Sequence, residues 1–218
     1  MKGLFVKDLH LLGKQKLFFL ATIFLTVMNA YNLQTLVLVP LFMLFFVLSI
    51  IFTTITLDEM NHGFSFLFTL PISRKKYVVE KYLLAYISSI AAIVLSIFIV
   101  LVMNRMQGRV VDIKSFLLIL AGIFIVGSFY ISLLLPFYFK FEEGKSRLII
   151  MIVMAIIFFF VFLGKGLFER LGIDIMGLLI RISKTPAWIL YTGGTIAAII
   201  GGILSVVFSF KFLEQKQL

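Results

Sequence analysis

The chain has 218 residues, 62% of them hydrophobic and only 14% charged, with a formal charge of +10 and no cysteine. So few polar residues cannot cover a soluble core of this size, which leaves an all-α, polytopic membrane protein with no room for a separate soluble catalytic domain. The missing thiols exclude disulfides and thiolate metal sites. The basic residues sit in short segments between apolar runs, where anionic lipid and membrane orientation explain them better than nucleic acid does.

Residues 1–16 form a basic N-terminal segment in which Phe5, Leu9 and Leu12 fall on one helical side, with Lys7 and Lys14 opposite. This predicts a short interfacial helix. Residues 17–57 then contain no charged residue over 41 positions. A span needs about 20 residues, so this run predicts two spans. Their turn falls at Asn29, Asn32 and Gln34, with Pro40 in the first turns of the second helix, where it is tolerated. The uncharged run is too long for a signal-peptide core, so the first span is expected to be retained. Four further runs, at 82–104, 115–139, 148–164 and 185–210, bring the expected number of spans to six.

With the N-terminus inside, the inner segments carry thirteen Lys and Arg residues and the outer segments seven. Both termini and the segment 58–81 are therefore expected in the cytoplasm. The outer segment 165–184 is long, and Leu167, Phe168, Leu171, Ile175, Leu178, Leu179 and Ile182 cluster on one helical face. It reads as an amphipathic element lying in, or re-entering from, the outer interface. In the last span Gly194, Ala198 and Gly202 repeat at four, a stripe that permits close helix packing, either within one subunit or along a dimer seam.

No Asp, Glu, Lys, Arg or His falls inside a predicted span. Intramembrane charge marks proton relays and ion paths, so this pattern argues against a proton-coupled antiporter. Asn29, Ser88, Ser89, Ser96 and Asn104 read as helix–helix hydrogen-bonding groups. No Asp dyad, Ser–His pair or HExxH motif is present, and His10 and His62 are too far apart in sequence to suggest a metal site. Gly144-Lys145-Ser146 resembles the end of a phosphate-binding loop. Phe139 stands where the motif needs its first glycine, so the chain is not expected to bind ATP. If it moves a substrate, the energy comes from another subunit.

The polar interruption 58–81 is the candidate site. Asp58 and Glu59 precede a break at Gly63. Phe64, Phe66, Leu67, Phe68, Leu70 and Ile72 make an apolar patch too short to span, Pro71 stops it, and Ser73 is a fair N-cap for a helix entering the third span. One reading is a rigid knob that docks on a soluble partner; the other is a basic loop with interfacial hydrophobes.

The order of these elements resembles the ABC-2 type permease family. Asp58-Glu59, Gly63, Leu70-Pro71-Ile72-Ser73-Arg74-Lys75 and Lys81-Tyr82 carry the resemblance, and the span pattern matches over the whole chain. It is nearest to small Gram-positive permeases paired with a separate ATPase, among them those of the staphylococcal exporter of phenol-soluble modulins, which are amphipathic peptides. The resemblance implies a half-transporter that pairs with a second permease and rests a coupling helix, about 58–70, on an ATP-binding cassette subunit holding ATP and magnesium. It places the coupling contact at Asp58, Glu59, His62, Gly63, Phe64, Phe66, Leu67, Leu70, Pro71, Arg74 and Lys75. It places the substrate path along spans rich in Phe42, Phe45, Phe46, Phe158, Phe159 and Phe160. A vitamin-capture subunit of an importer and a non-transporting immunity protein are the competing readings.

Overall fold

A computed structural model describes residues 2–32, 38–59, 64, 69, 73–108, 112–141 and 185–215. Every regular element among them is a helix: α1 (Lys2–Lys14), α2 (Lys16–Asn32), α3 (Leu38–Glu59), α4 (Arg74–Met106), α5 (Ile113–Lys140) and α6 (Ala187–Gln215). The last four are each long and apolar enough to cross a membrane, and α1 with α2 makes a fifth candidate bent by 66° at Gln15. The expected fifth span, 148–164, and the outer amphipathic segment, 165–184, lie outside the described residues.

The helix boundaries have local causes. Pro40 occupies the first turn of α3, where a missing N–H costs nothing. Ser73 caps α4, its hydroxyl accepting the Lys76 N–H at 3.4 Å. Gly108, at φ +65°, follows the end of α4, and its N–H bonds the carbonyl of Arg105. Asp112 caps α5 by accepting from the Ser115 hydroxyl at 2.5 Å and the Lys114 N–H at 3.1 Å. The Ser115 bond, first of all, holds the Asp112 carboxyl below its ordinary value. The charged cap is therefore in place at neutral pH and weakens only as the pH falls through that lowered value.

The α3 helix is the most deeply enclosed. Met43, Leu48, Ile51, Phe52 and Ile55 are all buried. Phe52 stacks on Tyr138 of α5 at 5.0 Å. Gly127 brings α5 close to α3: a Cβ there would lie 2.9 Å from a Leu44 methyl. Gly127→Ala is expected to cost about 1 kcal/mol, the low end for overpacking because the leucine tip can turn; thermal unfolding in detergent reads this loss. The outward faces of α4 and α6 carry exposed residues such as Phe98 and Ile199, as lipid contact requires.

The α5 and α6 helices run parallel. Gly122 meets Tyr191, Gly194 meets Ile125, and the Lys140 ammonium lies 5.0 Å from the Phe212 ring. The α4 helix runs against both, since Tyr82 meets Ser205 and Ser209 while Arg74 reaches Leu213. The Gly194–Ala198–Gly202 stripe thus faces its own subunit: Ala198 is buried, and a Cβ on Gly202 would sit 3.5 Å from the Tyr86 hydroxyl. Pro136 has no N–H for the carbonyl of Ser132, one turn earlier in α5. The Ser205 hydroxyl of α6 donates to that carbonyl at 2.5 Å.

Candidate coupling site

The two ends of the segment 58–81 close on each other. Asp58 ends α3 one residue before its last, and Lys81 lies two turns into α4. Their charged atoms are 2.9 Å apart, with side-chain exposures of 5% and 0%. The Tyr77 hydroxyl donates to the same carboxylate oxygen, Asp58 Oδ2, at 2.9 Å. The Lys81 ammonium also donates to Thr54 Oγ1 at 3.1 Å and lies 5.2 Å from the centre of the Tyr77 ring.

The N-terminal helix is inserted into this closure. Lys7 of α1 pairs with Asp58, and Asp8 pairs with Lys81. Asp8 is fully buried, as are the neighbouring Leu4 and Tyr77. The apolar stripe expected on α1 is rotated as a result. Leu4, Phe5, Asp8 and Leu12 face the bundle, while Leu9, expected on that face, is 55% exposed. An acid can occupy the middle of a buried stripe only because Lys81 meets it there.

Glu80 adds a third acid. It is 1% exposed, and among the described residues neither of its carboxylate oxygens has a hydrogen-bond partner. The cluster therefore sets three carboxyl groups, Asp8, Asp58 and Glu80, against two lysines, Lys7 and Lys81. Among the described residues no group of three His, Asp or Glu is placed to hold a metal ion.

The other expected site residues lie in different settings. Phe64 turns inward, buried edge-on against Tyr77 with ring centres 5.6 Å apart. Arg74 caps α6 by donating to the carbonyls of Leu213 at 2.9 Å and Glu214 at 2.8 Å, and Lys75 lies 3.5 Å from the Glu214 carboxylate. Glu59 closes α3. His62, Gly63, Phe66, Leu67, Leu70, Pro71, Phe158, Phe159 and Phe160 lie outside the described residues, as does Gly144-Lys145-Ser146. Of the expected path residues, Phe42 and Phe45 are partly exposed on α3, and Phe46 packs against Phe18 at 6.2 Å.

Lys7, Asp8, Thr54, Tyr77, Glu80 and Lys81 were not singled out by sequence pattern as a cluster. One signal was present: Asp8 is the only acidic residue before Asp58. A lone acid in a basic interfacial helix needs a partner, and Tyr77 and Lys81 share one face of α4 at a spacing of four.

The base of the loop is thus bolted to α1, α3, α4 and α6. A family model for ABC-2 family transporter proteins matches residues 3–214, from α1 through to the end of α6. The chain belongs to the ABC-2 transporter family. Among curated proteins and solved structures nothing matches it. As an ABC-2 permease it is a multi-pass membrane protein, and its family works in general with an ATP-binding cassette partner.

Proposed function

We propose that this permease is half of an ATP-driven exporter that moves hydrophobic or amphipathic cargo, with toxin peptides such as phenol-soluble modulins as its cargo class, out of a bacterial cell. ATP and magnesium are held by a separate subunit, a second permease completes the pathway, and the loop 58–81 is the cytoplasmic contact with the ATPase. The observation that carries this is the ion-paired loop base. A push on the loop reaches Asp58 and Lys81 together, and through them the N-terminal helix and two spans. Arg74 passes the same displacement to the end of α6. A loop held on one strand alone would flex and lose that motion.

The lysine and arginine balance supports cytoplasmic termini. The parallel run of α5 and α6 supports an additional crossing between them, since α5 ends at the side of the bundle opposite to the one where α6 begins. The Phe42, Phe45 and Phe46 cluster suits a path for apolar cargo.

The test is co-expression with the ATP-binding cassette subunit, followed by co-purification and ATP hydrolysis with and without cargo peptide. Phe66→Ala and Pro71→Ala are expected to lower cargo-stimulated hydrolysis about tenfold, one docked contact being worth ~1.4 kcal/mol or more. Normal stimulation in both variants would refute the docking assignment. Tight capture of a small vitamin by the isolated chain would replace the export reading.

A further inference from the structure

A second feature lies away from the loop base. A cavity of about 600 Å³ runs along the seam of α5 and α6, lined by Phe129, Leu133, Pro136, Leu204 and Phe208, with Lys140 at one end. Its volume is that of an ordinary ligand site, about 300–1,000 Å³. From Phe129 to Lys140 the helix rises about 16 Å, at ~1.5 Å per residue. That is roughly half of the ~30 Å hydrocarbon core, the depth of one leaflet.

The chemistry changes along the groove as a phospholipid does. Its length is lined by rings and branched aliphatic chains, and its mouth holds one ammonium group. Lys140 lies over the rings of Phe141 and Phe212 at 5.2 and 5.0 Å. Among the described residues no carboxylate pairs with it. The acid nearest this end of α6, Glu214, is already engaged by Lys75. Lys211, Arg74 and Lys75 lie at the same end of the bundle as Lys140.

We propose that the α5–α6 groove is a binding site for one acidic phospholipid, with an acyl chain along Leu133 and Leu204 and the phosphate at Lys140. A neutral lipid fills the groove equally well but leaves Lys140 without its anion. Anionic headgroups are drawn to basic pockets between spans. The site does not depend on the direction of transport or on the ATPase contact.

The experiment uses the full chain in detergent, titrated with phosphatidylglycerol or phosphatidylcholine, and reads thermal stability and bound lipid by native mass spectrometry. Phosphatidylglycerol is expected to bind more tightly and to raise the melting temperature more. Lys140→Gln is expected to cut that preference about fivefold, the weight of one lysine at an anionic surface. Leu204→Trp, which fills the groove, is expected to displace both lipids. Equal binding of the two lipids by the wild type, or an unchanged preference in Lys140→Gln, overturns the proposal. So does a disulfide between two copies of Leu133→Cys in native membranes, unambiguous in a cysteine-free chain, because it puts a second chain in the groove.

Discussion

Lys81→Met is expected to destabilise the bundle by about 3–5 kcal/mol, the cost of leaving a buried ion pair with one charge unanswered. The substitution keeps the length and apolar stem of the side chain, so packing changes little. It removes the fully buried cation that meets both Asp8 and Asp58. Lys7 remains beside them but is 31% exposed and already satisfied by Asp58. Asp8 is left with no partner at bonding distance except Lys7 at 3.3 Å.

The pairing makes the effect unequal between partners. Loss of Lys81 takes the buried partner from two acids at once, whereas loss of the Asp8 charge leaves Lys81 paired with Asp58. Asp8→Asn is therefore expected to cost less than Lys81→Met, and Asp8→Asn in the Lys81→Met chain to recover part of the loss. Denaturation in mixed micelles measures all three. Where Lys81→Met does not accumulate, the yield of the double variant carries the test. Wild-type stability in Lys81→Met, or a double variant worse than the single, would show that the cluster is not held by charge.

The cluster also shows what could be read in the sequence and what could not. Spans appear as uncharged runs because each residue answers to the bilayer, a local constraint. The N-cap at Ser73 and the first-turn Pro40 were likewise legible from neighbours in the chain. The partnership of Asp8 with Lys81 joins residues far apart in sequence, and no periodicity encodes it. Ending the polar loop at Lys81 placed the charge at the water boundary. The α4 helix in fact starts at Arg74, is 33 residues long, and carries Tyr77, Glu80 and Lys81 into the packed base. For the same reason Leu9 was placed on the buried face of α1: hydropathy favoured it over Asp8, and the buried lysine reversed the order.

Ser205→Ala is the second large expected effect, at about 2 kcal/mol, and its cause lies in α5. Pro136 cannot bond the Ser132 carbonyl, which is left at the part-buried α5–α6 seam needing a donor. Ser205 supplies its one proton to that carbonyl, so the Tyr82 hydroxyl must donate to Ser205, at 2.5 Å, and accept from Ser209, at 2.9 Å. Removing the Ser205 hydroxyl leaves the carbonyl unpaired and the Tyr82 proton without its acceptor, a loss of about 1–3 kcal/mol where water cannot enter. The cycle with Pro136→Ala isolates the cause. Alanine restores the N–H at 136, the helix then answers Ser132 itself, and Ser205→Ala in that background is expected to cost less than about half as much. Pro136→Ala alone is expected to be neutral or stabilising if α5 straightens without disturbing Lys140. An equal cost of Ser205→Ala in both backgrounds would mean that the serine serves Tyr82 alone, and that α5 and α6 are held at this level by packing rather than by the carbonyl that proline exposes.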